Sequence, residues 1–161
     1  VGSEMCIRDR LWFRRRYDAY LRAIEERKLK PHAQTMALSD DPYENGHASV
    51  GLILEQQLPL TGLIAASDEL AFGAIEALRQ HGREVPRDVS VIGFDHQASR
   101  SRMAHLTSVC VDTIEVGRQL AKLAIARIQS GGQDVPEVVV PTFLIKRGTC
   151  RPFRPDQQML L

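Results

Sequence analysis

Apolar residues recur along this chain at helical spacing in some stretches and in short unbroken runs in others. From Leu11 to Lys28, Tyr17, Leu21 and Ile24 return at helical intervals, with arginine and glutamate filling much of the remainder. Pro31 closes that helix, and Ala33 to Leu38 reads as a short strand. Asp40, Asp41 and Pro42 mark a turn and a helix start; the helix spans Tyr43 to Gln57 through Val50, Ile53 and Leu54, weakened by Gly46 and Gly51. Gly62 to Ala66 is a compact apolar run, a buried strand, followed by the cap-type residues Ser67 and Asp68. A helix then carries one stripe of Leu70, Ala71, Ala74, Ile75, Ala77 and Leu78, with Gly82 placed for a left-handed C-terminal cap. Pro86 and Asp88 break the chain before a strand at Val89 to Phe94, and a polar loop leads to another at Leu106 to Val111. The last helix, Thr113 to Gln129, repeats through Val116, Leu120, Leu123, Ala124 and Ile128 until Gly131 and Gly132 stop it. Short strands at Val138 to Val140 and Thr142 to Lys146 flank Pro141.

Short apolar strands alternating with amphipathic helices predict an α/β fold, a parallel sheet sandwiched by helices. The stripes through Leu70, Ile75 and Leu78 and through Val116, Leu120 and Leu123 are both expected to face the core. Residues 1–10 have no usable period and read as a remnant or a disordered end; residues 151–161 read as a loose polar tail.

The 161 residues suffice for one compact domain or two small lobes, and 43% hydrophobic with 25% charged residues is ordinary for a globular protein. The 21 basic and 20 acidic residues leave a net charge of +1, which excludes nucleic-acid binding by bulk charge. Cys6, Cys110 and Cys150 form no close pair, so thiols in a reducing cytosol are expected rather than disulfides or a cysteine-built zinc site. No apolar window is long enough to span a membrane.

Ligands of such sheets bind beyond the carboxyl ends of the strands. Ser67 and Asp68 follow one strand, and Asp95 and His96 another. A carboxylate there can accept hydrogen bonds from adjacent hydroxyls, which suits a sugar or another polyol. Asp68 has a competing role, capping the helix that starts beside it. Asp95 has no such helix and is the stronger candidate. Nucleophile, phosphate-loop, dinucleotide and metalloprotease motifs are absent, and the histidines do not fall at metal-ligand spacing. No enzyme, cofactor or metal is therefore expected. The arginines at 14–16 read either as a phosphate or DNA patch or, in preference, as a solvated helix face with one residue turned into a cleft.

The stretch GLIAASDELAFGAIEALRQHGREVPRDVSVIGFDH, Gly62 to His96, resembles the effector-binding domain of LacI-type bacterial transcription regulators. Leu106-Thr107-Ser108-Val109, the ending Val140 to Cys150 and the helix Arg15 to Glu26 resemble further pieces in the family's order. The resemblance runs from Leu11 to Cys150. It implies a periplasmic-binding-protein-like fold of two lobes, the N-terminal one incomplete here, and a small polar effector, often a sugar, held between them. It also implies a cytoplasmic homodimer that meets operator DNA only through an N-terminal domain missing from this chain. Under the resemblance Arg16 matches the cleft arginine and Asp95 the cleft aspartate. Ser67 stands where many members carry an effector-touching asparagine, and His96 replaces a second acidic residue. A periplasmic sugar-binding protein of a transport system is the alternative on the same fold. A fragment of this kind is expected to expose apolar surface that a missing segment covers.

Overall fold

The computed structural model describes residues 11–29, 39–95 and 105–152. Four helices and four strands occur among them: α1 (Leu11–Glu26), α2 (Pro42–Glu55), β1 (Gly62–Ile64), α3 (Asp68–Gln80), β2 (Ser90–Phe94), β3 (Thr107–Val111), α4 (Thr113–Gln129) and β4 (Thr142–Ile145). The strands form one sheet in the order β1-β2-β3-β4. β1 pairs parallel with β2, Leu63 opposite Val91, and β2 pairs parallel with β3, Gly93 opposite Ser108. β4 runs antiparallel to β3, so the sheet is mixed rather than wholly parallel. The expected strand at Val138 to Val140 does not form, and Val139 is 81% exposed. The expected strand at 33–38 lies outside the described residues.

Local chemistry sets the helix ends. Asp41 precedes α2 with extended backbone, and its Oδ1 accepts from the Tyr43 amide at 2.8 Å, while Pro42 takes the first helical turn, where its missing N–H costs nothing. Asp112 caps α4 in the same way, through the amides of Ile114 and Glu115. His81 ends α3, and Gly82 follows with φ +70°, the left-handed geometry that glycine adopts without penalty.

The core is small and one-sided. Val50 from α2, Ala71, Ala74, Ala77 and Leu78 from α3, Val91 from β2, and Val89 and Leu106 just ahead of β2 and β3 are all buried, with Ala65 at its edge. Each of the larger side chains contributes about 1.5–3 kcal/mol by leaving water. α2 packs on α3 with unusual closeness, because Gly46 faces the Leu70 carbonyl and Gly73 faces the Tyr43 carbonyl, and a Cβ at either position would overlap that backbone. Gly46, which weakens the helical pattern, is thus what lets the two helices meet.

α4 behaves differently. It forms over the expected residues, but none of them is buried, and it packs extensively against no other element among the described residues. Leu120 is 61% exposed, which corrects the expectation that the Val116, Leu120 and Leu123 stripe lies in the core. The Leu70, Ile75 and Leu78 stripe does pack there, Leu78 completely. No described helix is long and apolar enough to cross a membrane.

A short strap closes the amino-terminal end of the sheet. The amide of Val91 donates to the Thr149 carbonyl, the Thr149 hydroxyl donates to the Val91 carbonyl at 2.7 Å, and the Thr107 amide donates to the same hydroxyl at 2.9 Å. The segment after β4 is thereby stitched across β2 and β3.

Candidate functional site

The carboxyl ends of β1 and β2 lie side by side because the two strands are parallel neighbours. The chain leaves β1 through Ala65 and Ala66 and leaves β2 through Asp95. Asp95 carries φ +99°, a backbone region that costs a non-glycine residue conformational energy and that collects at functional positions. Its amide still donates to the Val109 carbonyl at 2.9 Å, so the turn grows directly out of the sheet ladder.

Arg16 of α1 bridges these two strand ends. One guanidinium nitrogen donates to the Ala66 carbonyl, and the other donates to Asp95 Oδ1 at 2.8 Å. The guanidinium carbon stands 3.5 Å from the centroid of the Phe94 ring, a cation–π contact that supports it from below. The side chains are 25% exposed for Arg16 and 38% for Asp95, so both present polar groups at an accessible rim. Of the three consecutive arginines, Arg14 and Arg15 are exposed and Arg16 alone turns inward.

The neighbouring candidates occupy different tiers. Ser67 caps α3, its hydroxyl accepting from the Leu70 amide at 3.3 Å, so the capping role belongs to Ser67 and not to Asp68. Asp68 sits one residue inside the helix and is only 2% exposed. Its Oδ1 accepts from the Ser108 hydroxyl at 2.6 Å, beneath the rim. His96 lies outside the described residues. The site therefore joins Arg16 with Asp95 directly, places Ser67 on the adjoining loop and sets Asp68 underneath. A depression of about 450 Å³ lined by Leu21, Ile24, Glu25, Lys28 and Leu29 opens further along α1, and its lining includes none of these site residues.

Sequence reasoning did not find the roles of Phe94, Gly93 and Ser108. The signal was present in part. A glycine inside an apolar strand marks a close approach, and a Cβ on Gly93 would collide with the Asp68 carboxylate and come within 2.8 Å of Leu106 Cδ2. A serine in the middle of an apolar strand likewise asks for a buried partner.

Chemically, the rim offers a guanidinium held in a fixed plane and a carboxylate beside it. The carboxylate accepts from hydroxyl or amine hydrogens, and the guanidinium donates to ring or hydroxyl oxygens. That combination suits recognition of a polar small molecule.

The sequence profile of the periplasmic binding protein-like domain matches residues 4–150. The chain is 32% identical over 133 residues to the HTH-type transcriptional regulator RegA of Clostridium saccharobutylicum, covering 82% of this chain and 40% of that protein. Among solved structures, a sugar-binding transcriptional regulator of the LacI family from Escherichia coli, complexed with phosphate, superposes with a TM-score of 0.73 at 27% identity, covering 88% of this chain and 51% of that one. A LacI family regulator from Enterococcus faecium with bound ribose gives 0.70 at 28% identity, covering 86% and 52%. The chain thus spans about half the length of these relatives or less. It belongs to the periplasmic binding protein-like domain family, in the form found in LacI-type regulators.

Proposed function

We propose that these residues form the effector-sensing part of a LacI-type transcription regulator, and that the effector is a small sugar. The observation that carries the reading is the Arg16–Asp95 pair at the carboxyl ends of adjacent parallel strands, seated on Phe94. Asp95 accepts from vicinal hydroxyls, Arg16 donates to a sugar oxygen, and Ser67 borders the same rim. The ribose-bound relative supports a pentose or hexose as the ligand class. The likeness to transcription regulators favours this reading over a transport protein.

On this reading the protein acts by binding and not by catalysis. The strands β1, β2 and β3 with helices α2 and α3 form the body of one lobe. α4, which leaves Ile114, Leu120 and Ile128 exposed, contributes to the second lobe, while β4 stays in the sheet of the first. Ligand between the lobes favours their closed arrangement, and closure changes how a homodimer presents its DNA-binding parts to the operator. The setting is the cytoplasm, and operator contact is made by segments other than those described. A thermal-shift screen of pentoses, hexoses and disaccharides tests the ligand class. A rise in melting temperature that saturates with one sugar supports it, and a flat response across the panel overturns it.

A further inference from the structure

A closed circuit of contacts runs beneath the rim, and Asp68 is its hidden member. Arg16 holds the Ala66 carbonyl. Ala66 leads through Ser67 to Asp68, the first residue of α3. Asp68 accepts from Ser108 on β3. Ser108 stands opposite Gly93 on β2, and the Asp68 carboxylate fills the space that a side chain on Gly93 would need. Gly93 leads through Phe94 to Asp95, which returns to Arg16 by the ion pair. Every link is a covalent step, a hydrogen bond or a register pairing.

We propose that Asp68 is the positioning residue of this site. It touches no ligand. Its carboxylate spans α3, β2 and β3 at one point and fixes the separation between the Ala66 turn and the Asp95 turn. Arg16 can satisfy both turns only when that separation is right, because a guanidinium has a rigid fork. Burial makes the restraint stiff: a carboxylate that is 2% exposed and held by Ser108 cannot exchange its partner for water without opening the core. The circuit also explains why glycine stands at position 93 inside an apolar strand, and why serine rather than an aliphatic residue stands at 108. The consequence for ligand binding rests on the sugar-sensing reading above; the consequence for Arg16 does not.

The experiment compares Asp68→Asn and Ser108→Ala with Val50→Ala, which loosens the same core from α2 without entering the circuit. Two readouts are taken on the whole chain: the nitrogen-edited NMR signal of the Arg16 guanidinium, sharp and distinct when its rotation is restrained, and the Kd for ribose. In the two circuit variants the Arg16 signal is expected to average with those of exposed arginines, and the Kd to rise about tenfold or more. Val50→Ala is expected to lower the melting temperature and to leave both readouts in place. Should Asp68→Asn fail to fold, Ser108→Ala carries the test, since it keeps the carboxylate and removes one donor. Circuit variants that melt lower yet retain the restrained Arg16 signal would reduce Asp68 to an ordinary core residue and overturn the proposal. A wild-type chain that binds no ribose counts against that sugar as the ligand, and the Arg16 signal then decides the positioning role alone.

Discussion

Helices α3 and α4 carry equally regular apolar stripes and meet opposite fates. α3 is clamped between α2 and β2, with Ala71, Ala77 and Leu78 fully buried. α4 has a capped start, in-helix ion pairs such as Arg118 with Glu115, and no buried residue. The difference lies in the partners and not in the pattern. A 3.6-residue period states which face of a helix is apolar, and it is silent about what will cover that face. α3 finds its cover within the described residues, through the Gly46 and Gly73 contacts and a strand that begins a few residues later. α4 leaves Ile114, Leu120, Ile125 and Ile128 facing outward, and β4, which follows it in the chain, leaves Phe143 half exposed.

The contrast can be broken first at glycine. Gly73→Ala places a methyl group against the Tyr43 carbonyl and within 2.8 Å of the His47 amide nitrogen, so it should destabilise by more than about 3 kcal/mol, read from urea unfolding. Gly117→Ala in α4 meets nothing within 4 Å and should instead stabilise its helix by about 1 kcal/mol. If both changes destabilise alike, α4 is packed and the contrast fails.

Leucine sharpens the same point. Leu78→Ala should cost about 2–5 kcal/mol, because Leu78 has no exposed surface. Leu120→Ala, with 61% of its surface already in water, should change stability by less than about 0.5 kcal/mol. A thermal melt of each variant decides it.

A pH-dependent effect lies on the loop that leads into β2. The Glu84 amide donates to Asp88 Oδ2 at 2.7 Å, and this bond, followed by that from Arg87, holds the Asp88 carboxyl below its usual range against the opposing effect of burial. A depressed folded-state pKa stabilises where the group is ionised in both states. Its contribution is therefore complete above the ordinary value of 3.8 and fades as the pH falls through the folded-state value. Asp88→Ala should cost about 1 kcal/mol near neutrality, with the difference from wild type shrinking in acid. Unfolding curves at neutral and at acidic pH measure it, and a difference that grows in acid would reverse the sign argued here.

These pairs also explain what the sequence could and could not reveal. The Asp41–Pro42 start, the Gly82 stop and the three strands of the parallel set were legible, because caps, breakers and apolar runs act locally. The antiparallel return of β4 was not, since strand direction depends on where a chain comes back after a long excursion. Arg16 and Asp95 were legible as a pair only through the resemblance; no local signal links residues that far apart. Phe94 beneath Arg16 escaped notice because an aromatic ending an apolar strand looks like core. Asp68 was legible as a carboxylate in the right place. Its burial was not, because that depends on Ser108 and Gly93 arriving from two other strands.

The central claim is that the Arg16–Asp95 rim grips a sugar. Calorimetric titration of Asp95→Ala beside the wild-type chain, with the sugar that shifts its melting temperature, tests it most directly. The account predicts measurable binding by the wild type and none by Asp95→Ala, with the folded circular-dichroism spectrum retained. Equal affinity in the two proteins would contradict it.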